Sequence, residues 1–440
     1  MEISGWGRFP RADCTVRRPR DEAAVRALVL SGRAIARGNG RAYGDSALNP
    51  HLTVDMTAFD RMIAFDAAAG LLTVEAGVLL GDIVAAFLPR GWFPAVTPGT
   101  KFVTVGGMIA ADVHGKNHHA HGSFGAFVEW IDLMVADGRV LRCSRAENPD
   151  LFAFTLGGMG LTGVVLRAAF RLTPVESGWI RQRTIAAGSL DEAVDTFERS
   201  AGWTYSVAWI DCLAKGPALG RSLVMLGEHA RRDELDDGRR AAPYTVPEKR
   251  KRRVPFDAPA LALNRFSVRA FNALYYAKGR RGAGESLVDW DGYFYPLDAV
   301  LGWNRIYGRR GFAQFQCVLP LDSAKAGLRL LLEAISAAGQ GSFLAVLKRM
   351  GPQQSRFSFP MEGYTLALDF PVGAASLSLL DRLDAITLAH GGRFYLAKDS
   401  RMRAATLEAS DPRTAAFRRM RRETAAADRF ASLQSERLGL

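Results

Sequence analysis

The sequence predicts an α+β chain organised as two domains, and three observations carry that reading. Over the first 175 residues, short strand-like runs alternate with glycine turns and a few helices. From about Glu176 glycine thins, and tryptophan and tyrosine rise. Beyond that point strands mix with amphipathic helices such as Ser323 to Ala338, whose apolar residues recur at three- and four-residue intervals.

Within the first region, Ala34–Arg37, Leu52–Met56 and Leu71–Glu75 read as strands, and Leu80 to Leu88 has helical spacing. A hairpin is expected over Ile131–Leu141, turned at Asp137-Gly138, and a β-rich run over Leu161–Leu172. Between Glu228 and Gly282 lies a charged, proline-punctuated stretch containing Lys249-Arg-Lys-Arg-Arg253, which reads as a partly disordered surface excursion. After Gly391 the chain turns glycine- and arginine-rich and ends in a helical tail.

With 440 residues, 48% hydrophobic and 23% charged, the chain is long enough to bury a core without disulfides or structural metal. Cys14, Cys143, Cys212 and Cys317 lie far apart and form no C-x-x-C pair, as expected of thiols in a reducing compartment. No secretory signal is expected, because the N-terminus lacks an apolar core, and no run of eighteen apolar residues predicts a membrane span. The expected location is therefore the cytoplasm, peripheral at the inner face of the membrane, with the cell envelope as the alternative. A net charge of +12 points to an anionic partner, phosphate ligand, membrane surface or nucleic acid, without choosing among them.

Three glycine-dense segments carry the chemistry. Arg37-Gly-Asn-Gly-Arg-Ala-Tyr-Gly-Asp45 follows a strand but has neither the dinucleotide glycine spacing nor a P-loop lysine. It is a donor-rich turn able to aim several backbone N–H groups at one anion, or simply a tight β-turn. Thr97-Pro-Gly-Thr100 leads to Val103-Thr-Val-Gly-Gly107, where two glycines open a small-residue helix, Met108 to Asp112, followed by His114-Gly-Lys-Asn-His-His119. Four of the seven histidines fall between 114 and 121, but no acidic or thiolate partners accompany them, so no metal is expected. Leu156-Gly-Gly-Met-Gly-Leu-Thr-Gly-Val164 is the third turn. Three such loops in one β-rich region suggest an extended cofactor whose phosphates are gripped by backbone.

Together these motifs resemble the FAD-binding domain of the vanillyl-alcohol oxidase superfamily (PCMH-type) and, within it, the decaprenylphosphoryl-β-D-ribose 2′-oxidase family. The likeness continues through Gly302-Trp-Asn-Arg-Ile-Tyr-Gly308, Gln314-Phe-Gln316, Leu368-Asp-Phe-Pro371 and Tyr395-Leu-Ala-Lys-Asp-Ser-Arg401, and is weakest over 228–282. It implies a two-domain vanillyl-alcohol-oxidase-like fold: an FAD-binding α+β domain over residues 1–175, a substrate domain with an antiparallel sheet and flanking helices over 176–391, and a segment, 392–440, that returns to the first domain.

By the same resemblance, Arg37, Gly38, Asn39, Gly40, Arg41, Tyr43 and Gly44 cradle the pyrophosphate of FAD. Thr100, Thr104, Gly107, Gly115, Asn117, His118, Gly122 and Gly163 complete the cofactor site, and Tyr395 to Arg401 close it. The loop Gly40-Arg-Ala-Tyr43 lacks the histidine that anchors a covalent flavin in some relatives, so the flavin is expected to be non-covalent. The implied reaction oxidises the 2′-hydroxyl of a polyprenyl-phosphate-linked ribose to a 2′-keto intermediate. A separate NAD(P)H-dependent ketoreductase would complete epimerisation to the arabinose donor used in cell-wall arabinan synthesis.

An alcohol oxidation needs a hydride acceptor, a group for the hydroxyl proton and a clamp on the substrate. Flavin N5 fills the first role, since no side chain accepts a hydride. Lys398, with Tyr43 and His114 nearby, is the candidate for the other two: it would polarise the reacting hydroxyl or stabilise developing negative charge, or, with a pKa lowered by positive neighbours, act as the base. Lys116 and Lys348 are candidates for the substrate phosphate or flavin edge; Tyr307, Gln314, Gln316 and Asp369 for sugar contacts; Trp209 for an apolar wall. Ala367 stands where mycobacterial members carry a cysteine facing the flavin; oxidation needs no thiol there, so activity is expected to survive. The basic run Lys249–Arg253 and an amphipathic stretch, Leu261 to Tyr276, suit peripheral membrane contact. Two other readings remain: a flavin oxidase acting on a free alditol, another sugar or a hydroxy acid, and a basic lipid- or nucleic-acid-binding protein without catalysis. Against the last, the basic residues are spread through the chain and no nucleic-acid-reading motif appears.

Overall fold

A computed structural model describes residues 1–259 and 263–440. Three short strands, β1 (Val16–Arg17), β2 (Ile35–Arg37) and β3 (Thr53–Asp55), form a parallel sheet in the order β1-β3-β2. Helix α1 (Glu22–Ser31) connects the first two; the Asp21 carboxylate caps it by accepting the Ala24 N–H at 2.8 Å. An antiparallel six-stranded sheet follows, built from β4 (Met62–Asp66), β5 (Leu71–Glu75), β6 (Trp92–Pro94), β7 (Val128–Met134), β8 (Val140–Ser144) and β9 (Val164–Pro174). Its order is β8-β7-β9-β5-β4, with β6 pairing the far end of the long strand β9.

The expected strand over Leu71–Glu75 is present, and the expected hairpin pairs Met134 with Val140 around Gly138. Gly138 has φ 81°, a conformation that a Cβ disfavours. Helix α2 (Leu80–Phe87) buries Leu80, Ile83, Val84 and Phe87, the i, i+3, i+4, i+7 stripe that its sequence announces. The small-residue helix starts earlier than expected. It is α3 (Val105–Ala110), capped by Thr104, whose hydroxyl accepts the Gly107 N–H, so Gly106 and Gly107 lie inside its first turn.

The second half folds around an antiparallel eight-stranded sheet. Its strands are β10 (Trp179–Ala187), β11 (Tyr205–Ile210), β12 (Ser222–His229), β13 (Gly284–Asp289), β14 (Phe312–Pro320), β15 (Val346–Met350), β16 (Gly363–Pro371) and β17 (Arg393–Phe394), in the order β13-β10-β12-β11-β15-β16-β14-β17. Helices α4 (Leu190–Arg199), α5 (Arg265–Arg281), α6 (Leu321–Ala338) and α7 (Ala374–Ala389) pack around it. Leu328, Leu331, Leu332, Leu379 and Leu383 of α6 and α7 close one apolar core with the sheet. Cross-strand register places Gln314 opposite Asp369, and Gln316 opposite Ala367, which in turn faces Val346. Because side chains alternate along a strand, these residues share the other face.

The stretch 228–282, expected to be partly disordered, carries defined structure where it is described. It holds a short helix over Asp237–Ala241, a two-residue parallel pairing of Arg252–Arg253 with Val300–Leu301, and α5. Lys249 pairs with Asp289 at 3.0 Å, and Asp257 takes Arg8 at 2.6 Å, which ties the excursion to the body. Of the expected amphipathic run, Leu261 lies outside the described residues.

Residues 392–440 touch both halves. β17 edges the large sheet beside β14. Farther on, the Ala34 N–H donates to the Arg429 carbonyl at 2.8 Å, and Asn49 Nδ2 to that of Ala431 at 2.7 Å. All four cysteines are buried free thiols. Among the described residues, no helix is long and apolar enough to cross a membrane, and no group of His, Cys, Asp and Glu is arranged to hold a metal ion.

Candidate active site

A cavity of about 1040 Å³ lies between the glycine loops of the first half and the Gln314–Lys348–Ala367–Asp369 face of the large sheet. Arg37, Gly38, Asn39, Gly40, Arg41, Tyr43 and Gly44 line it from one loop, and Thr100, Thr104, Gly107, Gly115 and Gly163 from others. Tyr395 and Lys398 reach it from the returning segment, and Lys116, Trp209, Gln314, Gln316, Lys348, Ala367 and Asp369 from the opposite wall. Asn117, His118, Gly122 and Tyr307 do not reach the wall. Asn117 donates to the Ala95 carbonyl at 2.7 Å, His118 is held by Gln353 at 2.8 Å and accepts the Gly351 N–H, and Gly122 ends a single helical turn. Tyr307 stands behind Asp369, its hydroxyl 3.5 Å from that carboxylate.

The first loop presents a row of open hydrogen-bond donors to the cavity. Among the described residues, no protein acceptor takes the backbone N–H groups of Gly38, Asn39, Gly40, Arg41 and Ala42. Arg41 lies 4.2 Å over the Trp6 ring, with its buried Nε unpartnered among the described residues. A Cβ at Gly38 would stand 2.1 Å from Thr104 Oγ1, so a larger residue would have to push that side chain aside where the loop meets the start of α3. Unsatisfied amides, adjacent cations and a long apolar-walled cavity fit the phosphates and ring system of FAD.

At the inner end, the loop and the returning segment touch. The Tyr43 N–H donates to the Ala397 carbonyl at 2.9 Å, and a Cβ on Gly44 would lie 2.0 Å from the Asp399 carbonyl oxygen. Lys398 forms no ion pair among the described residues; its Nζ lies 3.6 Å from the centroid of the Tyr43 ring. Part of its surface faces the cavity, yet protein surrounds it, and burial lowers the ammonium pKa. Asp369, nearly sealed, is shifted upward by burial and accepts a hydrogen bond from Gln314. Burial, then the Asp369 charge, pushes the Tyr43 phenol well above its ordinary range, so it stays protonated.

Farther along the wall, burial brings Lys348 down to about 8, and burial together with Lys348 brings Lys116 to about 7. Lys116 Nζ donates to the Tyr293 carbonyl and lies 4.1 Å over that ring. Trp209 donates its indole N–H to the Phe343 carbonyl at 3.0 Å.

His114 lines the cavity near Lys398, as expected, but both its ring nitrogens are withdrawn from it. Thr365 spends its hydroxyl proton on the Cys317 carbonyl at 2.8 Å, so it can only accept from Gln316 Nε2 at 3.2 Å. That same Nε2 faces His114 Nε2 at 3.1 Å, which must then be an acceptor, and the ring proton sits on Nδ1. Nδ1 is buried without a partner among the described residues, and burial and Lys348 push the imidazole pKa well down. With Nε2 taken and Nδ1 sealed, His114 lines the cavity as a neutral ring and is not positioned to receive a substrate proton.

Sequence reasoning missed Asp298, which accepts from Thr100 Oγ1 and the Lys101 N–H, each at 2.8 Å, and fixes the loop opposite Arg41. No local motif marks it. Arg253, Phe271 and Tyr275 also line the cavity. They come from stretches whose basic and amphipathic character was legible, although their place in the wall was not.

Residues 15–144 match the model of the FAD binding domain family. Over its full length the chain is 38% identical to decaprenylphosphoryl-β-D-ribose oxidase of Mycolicibacterium smegmatis, covering 97% of that protein. It is 33% identical to an uncharacterised Streptomyces coelicolor protein, over 82% of this chain and all of that one. Mouse L-gulonolactone oxidase matches at 31% identity over 31% of each chain. The cavity and these likenesses lead to one conclusion: the chain belongs to the decaprenylphosphoryl-β-D-ribose oxidase family and is an FAD-dependent oxidoreductase.

Proposed function

We propose that the enzyme oxidises the 2′-hydroxyl of decaprenylphosphoryl-β-D-ribose to the 2′-ketone, the first half of an epimerisation. The observation that carries this reading is the meeting of Lys398, Tyr43, Gln314 and Asp369 at the inner end of the cavity. Bound non-covalently by the glycine loops, FAD supplies the hydride acceptor at N5. The chain's own residues do the rest. Tyr43, kept protonated, donates a hydrogen bond to a sugar oxygen, while Gln314 and Asp369 orient neighbouring hydroxyls. Lys398, its pKa drawn down by burial, meets the reacting hydroxyl and takes its proton as the C–H bond breaks. Lys116 and Lys348 supply positive charge for the substrate phosphate, and Trp209 an apolar wall.

Returning the ketone to an alcohol of opposite configuration requires a hydride donor, so a separate NAD(P)H-dependent ketoreductase consumes the product. Because the loop over residues 40–43 has no histidine and His114 has no free nitrogen directed at the cavity, the yellow cofactor should leave with the supernatant after acid precipitation. The deciding experiment is anaerobic mixing with decaprenylphosphoryl ribose. Bleaching of the oxidised flavin band supports the reading. No bleaching with it, but bleaching with a free alditol, aldonolactone or hydroxy acid, would replace the substrate.

A further inference from the structure

Helix α5 is attached to the protein by one narrow stripe. Val268 and Asn272 are its buried residues; Asn272 donates to Asp211 at 2.8 Å, and Tyr276 to the Ala187 carbonyl at 3.1 Å. A Cβ on Gly279 would lie 2.1 Å from Leu223 Cδ1, so glycine lets the helix sit against β12. One turn around, Phe271 and Tyr275, four residues apart, stack at 5.7 Å and line the cavity. On the outward side, Phe266, Ala270 and Leu274 repeat every four residues, with Phe266 69% and Leu274 72% exposed. Phe256, 65% exposed, adds to the same stretch of chain.

This is a patch rather than the ordinary scatter of surface apolar residues. Five of the eleven exposed large hydrophobics among the described residues fall between 256 and 275. The helix carries Arg265, Arg269, Lys278, Arg280 and Arg281 and no acidic residue. Arg253, from the adjoining basic run, lines the same cavity. An outward aromatic–aliphatic stripe on a helix whose charged residues are all cations has the composition of a helix that lies in the interface of an anionic bilayer. A second copy of the chain fits poorly, because pairing α5 with itself would set five cations against five.

We propose that α5 is the surface on which the enzyme rests on an anionic lipid bilayer, with Phe266 and Leu274 entering the acyl boundary. In this pose Phe271 and Tyr275 form the cavity wall nearest the lipid, and an isoprenoid-linked substrate enters without its tail crossing water. The purpose of the contact rests on the substrate proposed above; the surface itself does not.

The test is co-sedimentation of the FAD-loaded enzyme with phosphatidylcholine vesicles, with and without phosphatidylglycerol. The wild type should bind the anionic vesicles, less so as salt rises. The Phe266→Asp/Leu274→Asp double variant should partition at least about tenfold more weakly, because two apolar anchors are replaced by like-charged groups. It should still oxidise detergent-solubilised substrate at the wild-type rate while losing rate on vesicle-embedded substrate. Equal vesicle binding by both proteins would overturn the proposal. So would wild-type dimerisation in analytical ultracentrifugation that the double variant abolishes, which would assign the stripe to a second copy. If vesicle binding depends on α5 but no polyprenyl-phosphate sugar bleaches the flavin, the surface stands and the substrate reading falls.

Discussion

The ammonium of Lys398 lies 3.6 Å from the centre of the Tyr43 ring, and no carboxylate pairs with it among the described residues. An aromatic face attracts a cation more weakly than a paired carboxylate does, so burial outweighs both this neighbour and the charge of Asp369, which favours the protonated amine. Burial can then bring its pKa toward neutrality, which a base for an alcohol needs. Lys398→Met keeps the stem and removes the amine. It should slow substrate-driven flavin bleaching by about 10²–10⁴-fold, the usual worth of a positioned acid or base, with FAD still bound. Stopped-flow absorbance reads the rate, and the visible spectrum reads the cofactor.

Lys116 gives a pH-dependent stability signature. Its pKa falls from 10.5 in the unfolded chain to about 7 in the fold. Between those values the unfolded chain holds the proton that the folded one has released, so stability rises with pH across that window. Below about 7 both forms are charged and the burial penalty is complete. Lys116→Met removes the penalty, so its melting temperature relative to wild type should be highest near pH 6 and fall steadily toward pH 9–10, roughly following that titration. A parallel pair of curves in differential scanning fluorimetry would refute the shift.

Two glycine substitutions separate the loops. At Gly38 the obstructing atom is the end of a threonine side chain, which can turn aside; at Gly44 it is the Asp399 carbonyl, which cannot. Gly44→Ala should therefore cost more, about 1–3 kcal/mol of overpacking, and displace the Lys398 turn. Gly38→Ala should chiefly weaken FAD binding through the loss of the Thr104 cap geometry. Denaturant melts and flavin titration, run on both variants, distinguish the two outcomes.

Arg437 holds the inner end together. It reaches Asp45 at 2.8 Å and Asp399 at 2.9 Å, one residue beyond Gly44 and one beyond Lys398. Both carboxylates are nearly sealed from solvent. Arg437→Met leaves two buried carboxylates facing each other and should destabilise the fold by about 3–5 kcal/mol. Arg437→Lys should recover only part of this, since an ammonium cannot match the planar fork.

What the sequence made legible were features with a local cause. Leu71–Glu75 alternates as a strand must, Asp137-Gly138 is a turn by composition, and the α2 stripe follows helical period. The start of α3 was misjudged because Thr104, not the glycine pair, sets the cap. Motif likeness brings the glycine loops and Lys398 to one site, and they line one cavity, but the closed state of His114 was not legible. It depends on Gln316 and Thr365, some 200 and 250 residues away in sequence, and on which proton each spends. Asp298 was invisible for the same reason: its partners, Thr100 and Lys101, are nearly 200 residues distant.

That separation has a consequence for biosynthesis. Ala34 is bonded to Arg429, Asn49 to Ala431 and Asp45 to Arg437, so the nucleotide-binding half cannot close when its own residues leave the ribosome. These closing contacts must wait while about 250 further residues are translated at about 5–20 per second. During that interval the nascent chain exposes an unfinished apolar core, and chaperone protection matters most there.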